Sequence, residues 1–320
     1  MPGTESAPMR PVRGRPVLVL GGTGQYGRHI VSGLLRLGAD VRVLTRNEER
    51  ARELLGQEID VVEGDVRSRD DRARALAGIS RIVISIAAMD RRLIRHRMQI
   101  ERDTVLSLLN EAQRESPVRI VYLSGYEMRE EFAHRLGLLE FARPQLDVEE
   151  ALSRSSLRWT VLGCAPSMEI FFAMMRRDVL NVPGGGPPAL PVVSALDVGQ
   201  IAAQAVLRDD LTERRFRVTG PEAISFSQAA RRIGRVWGRP IRYRRIPLMP
   251  LRIIAGLSRP VTPYLTFIMM AVKLLNSFPQ DLAALVPEDH GKLRATFDYE
   301  PMTLEEEASR RAEAIKPVSR

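Results

Sequence analysis

The clearest chemistry in the chain lies in one glycine-rich run, Gly21-Gly22-Thr23-Gly24-Gln25-Tyr26-Gly27. It follows the apolar stretch Val17-Leu18-Val19-Leu20 directly and opens an amphipathic segment, Tyr26 to Leu37. A strand, a glycine turn and a helix start in that order form a cradle for a diphosphate. Gly21 permits the tight turn, Gly24 lets backbone approach an anion without a Cβ clash, and Gly27 lets helix and strand pack closely. The helix N-terminus adds amides and positive potential, with Thr23, Gln25 and Tyr26 in the same turn. The spacing predicts a dinucleotide, NAD(P)(H). A merely tight strand–helix turn is the plainer alternative.

The end of the second strand bears on which dinucleotide. An acid roughly 20 residues beyond the turn would bond the ribose 2′-hydroxyl of NAD. Here the strand ends Leu44-Thr45-Arg46-Asn47, with no carboxylate until Glu48. Arg46 suits a 2′-phosphate, so NADP(H) is favoured over NAD(H); a solvated arginine at a helix start is the other reading.

Other chemistries find less support. His29, His96, His134 and His290 make no metal-ligand spacing, so no metal is expected. No Gly-x-Ser-x-Gly elbow or Gly-x-x-x-x-Gly-Lys loop occurs. Cys164 is the single cysteine, which excludes an internal disulfide and suits a small core residue better than a reactive thiol. His96 lies among Arg91, Arg92, Arg95 and Arg97, which reads as a wet face before it reads as an anion site.

The elements that must position the turn alternate in type. Strands are expected at Val17–Leu20, Asp40–Leu44, Ile59–Val62, Ile82–Ile86, Arg119–Leu123 and Trp159–Leu162. Helices fall between them at Glu48–Leu55, Arg69–Leu76, through Leu106–Leu109, and at Leu146–Leu152. This rhythm predicts an α/β, Rossmann-type doubly wound parallel sheet covered on both faces. Residues 1–15 read as a disordered tail and 16–163 as the nucleotide-binding core. Residues 164–320 read as a smaller, mainly helical substrate or lid region, whose late strand and helices return to the core. There, Pro183–Pro188 is an exposed loop, Asp197–Leu207 a helix with Val198, Ile201, Ala202 and Ala205 on one face, and Arg215–Thr219 a late strand. Ser225 is a helix N-cap with Gln228 three residues on. Pro247–Phe278 is the most apolar part, expected as two short helices that lid a pocket or pack on the sheet. Arg252, Arg259, Pro260, Pro263 and Lys273 interrupt it before it reaches membrane-spanning length.

Composition narrows the partners. The net charge is +9, yet only Lys273, Lys292 and Lys316 of the 48 basic residues are lysines. Arginines scattered among carboxylates read as solvated surface, and aromatics at 5% leave few stacking platforms, so both argue against nucleic acid. The polar start has no apolar signal region, and a cytoplasmic location is expected.

At this point the residues resemble the NmrA-like group of atypical short-chain dehydrogenase/reductases, over about Pro16 to Pro247. The glycine spacing carries the likeness, as do Gly64-Asp65-Val66, Ile86-Ala87-Ala88, Val148-Glu149-Glu150-Ala151-Leu152, Arg158–Leu162, Asp197–Ala202 and Val218–Glu222. The resemblance implies that Asp65 and Val66 face the adenine and that Ile86, Ala87 and Ala88 reach the cofactor. It places the family's Tyr-x-x-x-Lys pair at Phe141 and Gln145, which can supply neither a phenol proton nor an ammonium. No lysine precedes Lys273, so no shift of register recovers one. Ser124, at the end of the fifth strand, stands where the family's catalytic serine sits, and Tyr126 could give a proton if it turns inward. A strand cap and a rim aromatic are the structural alternatives. Two functions follow. The preferred one is an NADPH-dependent oxidoreductase of unusual catalytic residues acting on a small apolar carbonyl or enone. The other is a non-catalytic NAD(P)(H)-binding sensor or scaffold that reports to a protein partner.

Overall fold

The computed structural model describes residues 14–114, 118–127, 130–251, 253 and 263–315. The expected N-terminal tail lies outside the described residues except for Gly14 and Arg15. The first half alternates β1 (Val17–Leu20), α1 (Gly27–Arg36), β2 (Val41–Thr45), α2 (Glu48–Leu55), β3 (Asp60–Glu63), α3 (Arg69–Leu76) and β4 (Arg81–Ile84). A π-turn at Gln99–Asp103 leads into α4 (Thr104–Ala112), then β5 (Arg119–Gly125), α5 (Glu130–Arg135), α6 (Leu139–Ser153) and β6 (Arg158–Cys164). Next come α7 (Glu169–Ala173), β7 (Met175–Arg176), β8 (Val179–Pro183), β9 (Leu190–Pro191), α8 (Ala195–Leu207), β10 (Arg214–Val218), β11 (Ala223–Ile224), α9 (Phe226–Val236) and β12 (Arg242–Ile246).

The chain forms two compact units. Among the described residues, the first comprises those from 14 to 164, 195–217 and 293–299; the second comprises 165–194, those from 218 to 292, and 300–315.

The first unit holds a seven-stranded sheet in the order β10-β6-β5-β4-β1-β2-β3, with β1 to β6 parallel. It is the expected Rossmann-type architecture. β1 lies between β4 and β2, so successive connections leave it in opposite directions, and a crevice opens at the carboxyl ends of the strands. Side chains alternate along each strand. Leu18, Leu20, Ile82, Ile84, Ile120 and Tyr122 pack on one face with Ala75, Val105, Leu108, Val148 and Leu152 from α3, α4 and α6. The intervening Val17, Val19, Val83 and Val121 are equally buried, on the face where α1 and α8 pack.

Three sequence readings change here. α8 is not one-faced: Asp197–Gly199 and Ile201–Leu207 are all buried. The cause is close packing on α1, where a Cβ on Gly33 would lie 3.0 Å from Ala203 and one on Gly199 would lie 2.5 Å from His29. α6 begins at Leu139, well before the expected Leu146, and runs through Pro144. Proline costs one helix hydrogen bond there, while Phe141, Ala142, Pro144, Val148 and Leu152 are buried along the helix.

The third change concerns the arginines, which are not all solvated: Arg72, Arg81, Arg97 and Arg119 are buried. Arg81, Arg119 and Arg158 share one register row across β4, β5 and β6, at the amino ends of the strands. Arg81 donates to Val206 O (2.5 Å), and Arg119 donates to Ala205 O (3.0 Å), Arg208 O (3.2 Å) and Thr160 Oγ1 (2.5 Å). The bonds to Ala205 and Val206 satisfy carbonyls that the end of α8 leaves without helical partners. Burial pushes the Arg119 guanidinium down to about 10.

The second unit contains the sheet β12-β8-β7 and the pair β11-β9. Its core includes Phe171, Leu180, Val182, Phe226, Ile233 and Leu304, with Phe171 and Phe226 edge to face at 5.1 Å. Ser225 and Gln228 form the expected capping box. Pro183 ends β8, and Gly184, Gly185 and Gly186 turn with φ of 76°, 95° and 77°. Of the two helices expected in 247–278, Tyr264–Asn276 is present; residues 252 and 254–262 lie outside the described residues. No helix among the described residues is long and apolar enough to cross a membrane.

Candidate cofactor site

The glycine turn joins β1 to α1 at the crevice. Gly21 has φ +81°, and a Cβ there would lie 2.2 Å from Ser85 O, just beyond β4. Gly24 N donates to Gly21 O at 2.9 Å and closes the turn. A Cβ on Gly27 would lie 2.0 Å from that same Gly21 oxygen, so helix and turn touch backbone to backbone. At Gly24 a Cβ would meet only Gly21 O, at 3.1 Å, and otherwise open space. Gly24 and Gln25 are exposed and Thr23 and Tyr26 half-buried. This cradle, which a side chain at Gly24 would begin to fill, fits a diphosphate.

The ends of β2 and β3 pair Thr45 with Glu63, and Gly64 N donates to Thr45 O at 2.8 Å. Arg46 and Asp65 therefore stand side by side. Arg46 is exposed. Asp65 is committed: its carboxylate accepts from Arg67 Nε (3.0 Å), Nη2 (2.6 Å) and backbone N (2.9 Å), and its own N–H donates to Asp71. Arg67, and to a lesser degree Arg46, holds the Asp65 carboxyl below its ordinary value against the opposing effect of burial. Val66 is half-buried against the α3–α4–α6 core.

β4 ends at Ile84, so Ile86, Ala87 and Ala88 form a loop and do not extend the strand. Ala87 is exposed, while Ala88 is buried and its N–H donates to Glu101 Oε1 at 2.7 Å. Glu101 lies 2.9 Å from Arg97 Nε, and Arg97 reaches Phe141 O at 2.8 Å with its guanidinium 4.8 Å from the Phe141 ring. Burial pushes the Glu101 carboxyl up, with Arg97 opposing. The sequence reading passed over Glu101 and took Arg97 as one of a wet group. Their four-residue spacing was visible, but their burial was not.

Ser124 lies inside β5, one residue before its end, paired with Gly163 of β6. Its hydroxyl is buried and makes no hydrogen bond among the described residues, and the same holds for Oε1 of Gln145 on α6. Tyr126 is buried, at 4% exposure. Arg215 grips this corner: it donates to Gly125 O (2.9 Å) and Tyr126 O (3.2 Å) and pairs with Glu149 of α6 at 2.9 Å. Nothing in the sequence signalled that clamp. Cys164 ends β6 in the core, and burial pushes its thiol up to about 12. The structure thus gathers the glycine turn, the Ala88 loop and Ser124 along the carboxyl edge of one sheet.

The chain is similar to several known proteins. An NAD(P)H azoreductase of Xenophilus azovorans is 23% identical over 237 residues, 72% of this chain and 77% of its own. A (4-alkanoyl-5-oxo-2,5-dihydrofuran-3-yl)methyl phosphate reductase of Streptomyces griseus is 27% identical over 235 residues, 72% of this chain and 77% of its own. The triphenylmethane reductase of Citrobacter sp., solved with NADP(H), shares the fold with a TM-score of 0.71 at 17% identity, over 93% of this chain and 99% of its own. Residues 21–208, more than half the chain, match the NAD(P)H-binding family, and the protein belongs to it.

Proposed function

We propose that the protein is an NADPH-dependent reductase of a small apolar carbonyl or enone that works without a Tyr-x-x-x-Lys pair. The observation that carries this reading is Ser124 Oγ, buried at the carboxyl edge of the sheet with no hydrogen-bond partner among the described residues. A buried polar group left unpaired costs about 1–3 kcal/mol, and a ligand oxygen at this edge relieves that cost.

When bound, NADPH supplies the hydride. Gly21, Thr23, Gly24, Gln25, Tyr26 and Gly27 hold its diphosphate, and Asp65 and Val66 flank the adenine. Ile86, Ala87 and Ala88 lie along the reacting half. Arg46 takes the 2′-phosphate, because Arg67 already occupies the Asp65 carboxylate and leaves the pocket's end net positive. Ser124 donates to the substrate oxygen and fixes the carbonyl for attack. Tyr126, buried and two residues on, is the residue assigned to give the proton. The relative from Streptomyces griseus supports the enone part of this class, since its named substrate carries a ring double bond conjugated to a carbonyl, although that substrate is a phosphate ester and not apolar.

The test is NADPH consumption with quinones and α,β-unsaturated ketones, in wild type, Ser124→Ala and Tyr126→Phe. Loss of turnover in Ser124→Ala with unchanged NADPH affinity is expected. Tight NADPH binding with no turnover of any such acceptor would sink the reductase reading. Phe141, where the resemblance expects a tyrosine, favours a second reading: a sensor that binds the coenzyme and reports to a protein partner. That reading predicts cofactor binding without turnover.

A further inference from the structure

We propose that Arg97 and Glu101 are positioning residues that hold the Ala88 loop in its cofactor-binding shape before the cofactor arrives, so that affinity for the nicotinamide half depends on them. The proposal rests on the cofactor reading of this crevice and adds a role for two residues outside the cradle.

Both side chains are almost wholly inside the protein, at 10% and 6% exposure. A buried ion pair gains little stability over apolar residues of equal volume, because desolvating two charges offsets their attraction. The burial that raises the Glu101 carboxyl despite Arg97 is this same cost. What the pair does achieve is geometric. Glu101 Oε1 fixes the Ala88 N–H at 2.7 Å, and Arg97 fixes the Phe141 carbonyl at 2.8 Å. One charged pair therefore ties the loop after β4 to the first turn of α6. Both residues sit at the π-turn Gln99–Asp103, Glu101 inside it and Arg97 just before it, a helix irregularity that recurs at functional sites. A loop ordered in advance does not have to be ordered by the ligand.

The adenine half of the cofactor binds at the other side of β1, near Arg46, and should not sense the pair. The experiment measures binding of NADPH and of 2′,5′-ADP, and NADH and ADP in parallel, alongside melting temperature. Two variants are compared. In the double variant Arg97→Met/Glu101→Leu, apolar volume replaces the charges. We expect melting within a few degrees of wild type, NADPH affinity at least tenfold weaker, and 2′,5′-ADP affinity within twofold. Glu101→Gln keeps an acceptor for Ala88 but strands the Arg97 charge. It should melt lower while keeping NADPH affinity within threefold. A purely structural pair gives the opposite pattern, with affinity following stability in both variants, and that result overturns the proposal. So does a stable double variant that binds NADPH like wild type. If the double variant does not fold, Glu101→Gln decides alone: a lower melting temperature with NADPH affinity kept within threefold supports the idea, and an NADPH loss beyond threefold that 2′,5′-ADP shares overturns it. If wild type binds none of the four ligands, the cofactor reading itself has failed.

Discussion

The position a Cβ would take on Gly27 lies 2.0 Å from the carbonyl oxygen of Gly21, far inside van der Waals contact. The first residue of α1 and the first residue of the turn therefore touch through backbone alone. The same oxygen accepts the Gly24 N–H that closes the turn. Gly27→Ala must push α1 away and open the cradle. We expect about 1–3 kcal/mol of destabilisation and loss of NADPH binding, read by urea unfolding and calorimetry. Near-wild-type affinity in this variant would contradict the cradle geometry.

Arg46 is exposed at the end of β2, beside an aspartate already bonded to Arg67. A charge-assisted bond to phosphate is worth about 1.5–3 kcal/mol, roughly ten- to a hundredfold in affinity. Arg46→Ala should lose that factor for NADPH and almost none for NADH. Equal weakening of both coenzymes would remove Arg46 from the 2′-phosphate.

The Asp65–Arg67 pair has a pH signature. Arg67 holds the Asp65 carboxyl below its ordinary value. A depressed folded pKa gives stability that is fully present above the unfolded value and is lost as pH falls through the folded one. Both side chains are about a third exposed (33% and 28%), so the contribution is modest, under ~1 kcal/mol. Wild type should exceed Arg67→Ala at neutral pH, with the gap closing in strong acid. A gap independent of pH would refute the pairing.

Arg119 binds the carbonyls at the end of α8 from the interior of the sheet. Replacing it by methionine leaves those acceptors without a donor, at about 1–3 kcal/mol for each stranded group. Arg119→Met should lower the unfolding free energy by several kcal/mol in total, and the unfolding midpoint with it. An unchanged midpoint would show that the carbonyls find other partners.

Cys164 is buried, with its thiol pushed up to about 12. Since only the thiolate reacts, alkylation at mildly alkaline pH should be negligible in the folded protein and complete in urea. Rapid stoichiometric labelling of the native state would contradict this placement.

Much of the cofactor end was legible in the sequence because it depends on local backbone rules. A strand running straight into Gly21, Gly24 and Gly27 leaves few conformations, and alternating apolar runs fix a parallel sheet with a switch point at β1. Local signals also placed the Ser225–Gln228 capping box.

Tertiary structure decided what depends on residues distant in sequence. Whether Arg119 is wet or buried turns on the end of α8, some 86 residues away at Ala205. Arg215 closes on Gly125 and Glu149 across comparable distances in sequence. The Arg97–Glu101 spacing permits an exposed surface pair as readily as a buried one, and only packing of the Ala88 loop and α6 around it determines which. Period and turn chemistry act through neighbours along the chain. Burial, and with it the cost and use of a charge, is set by elements the chain brings together from afar.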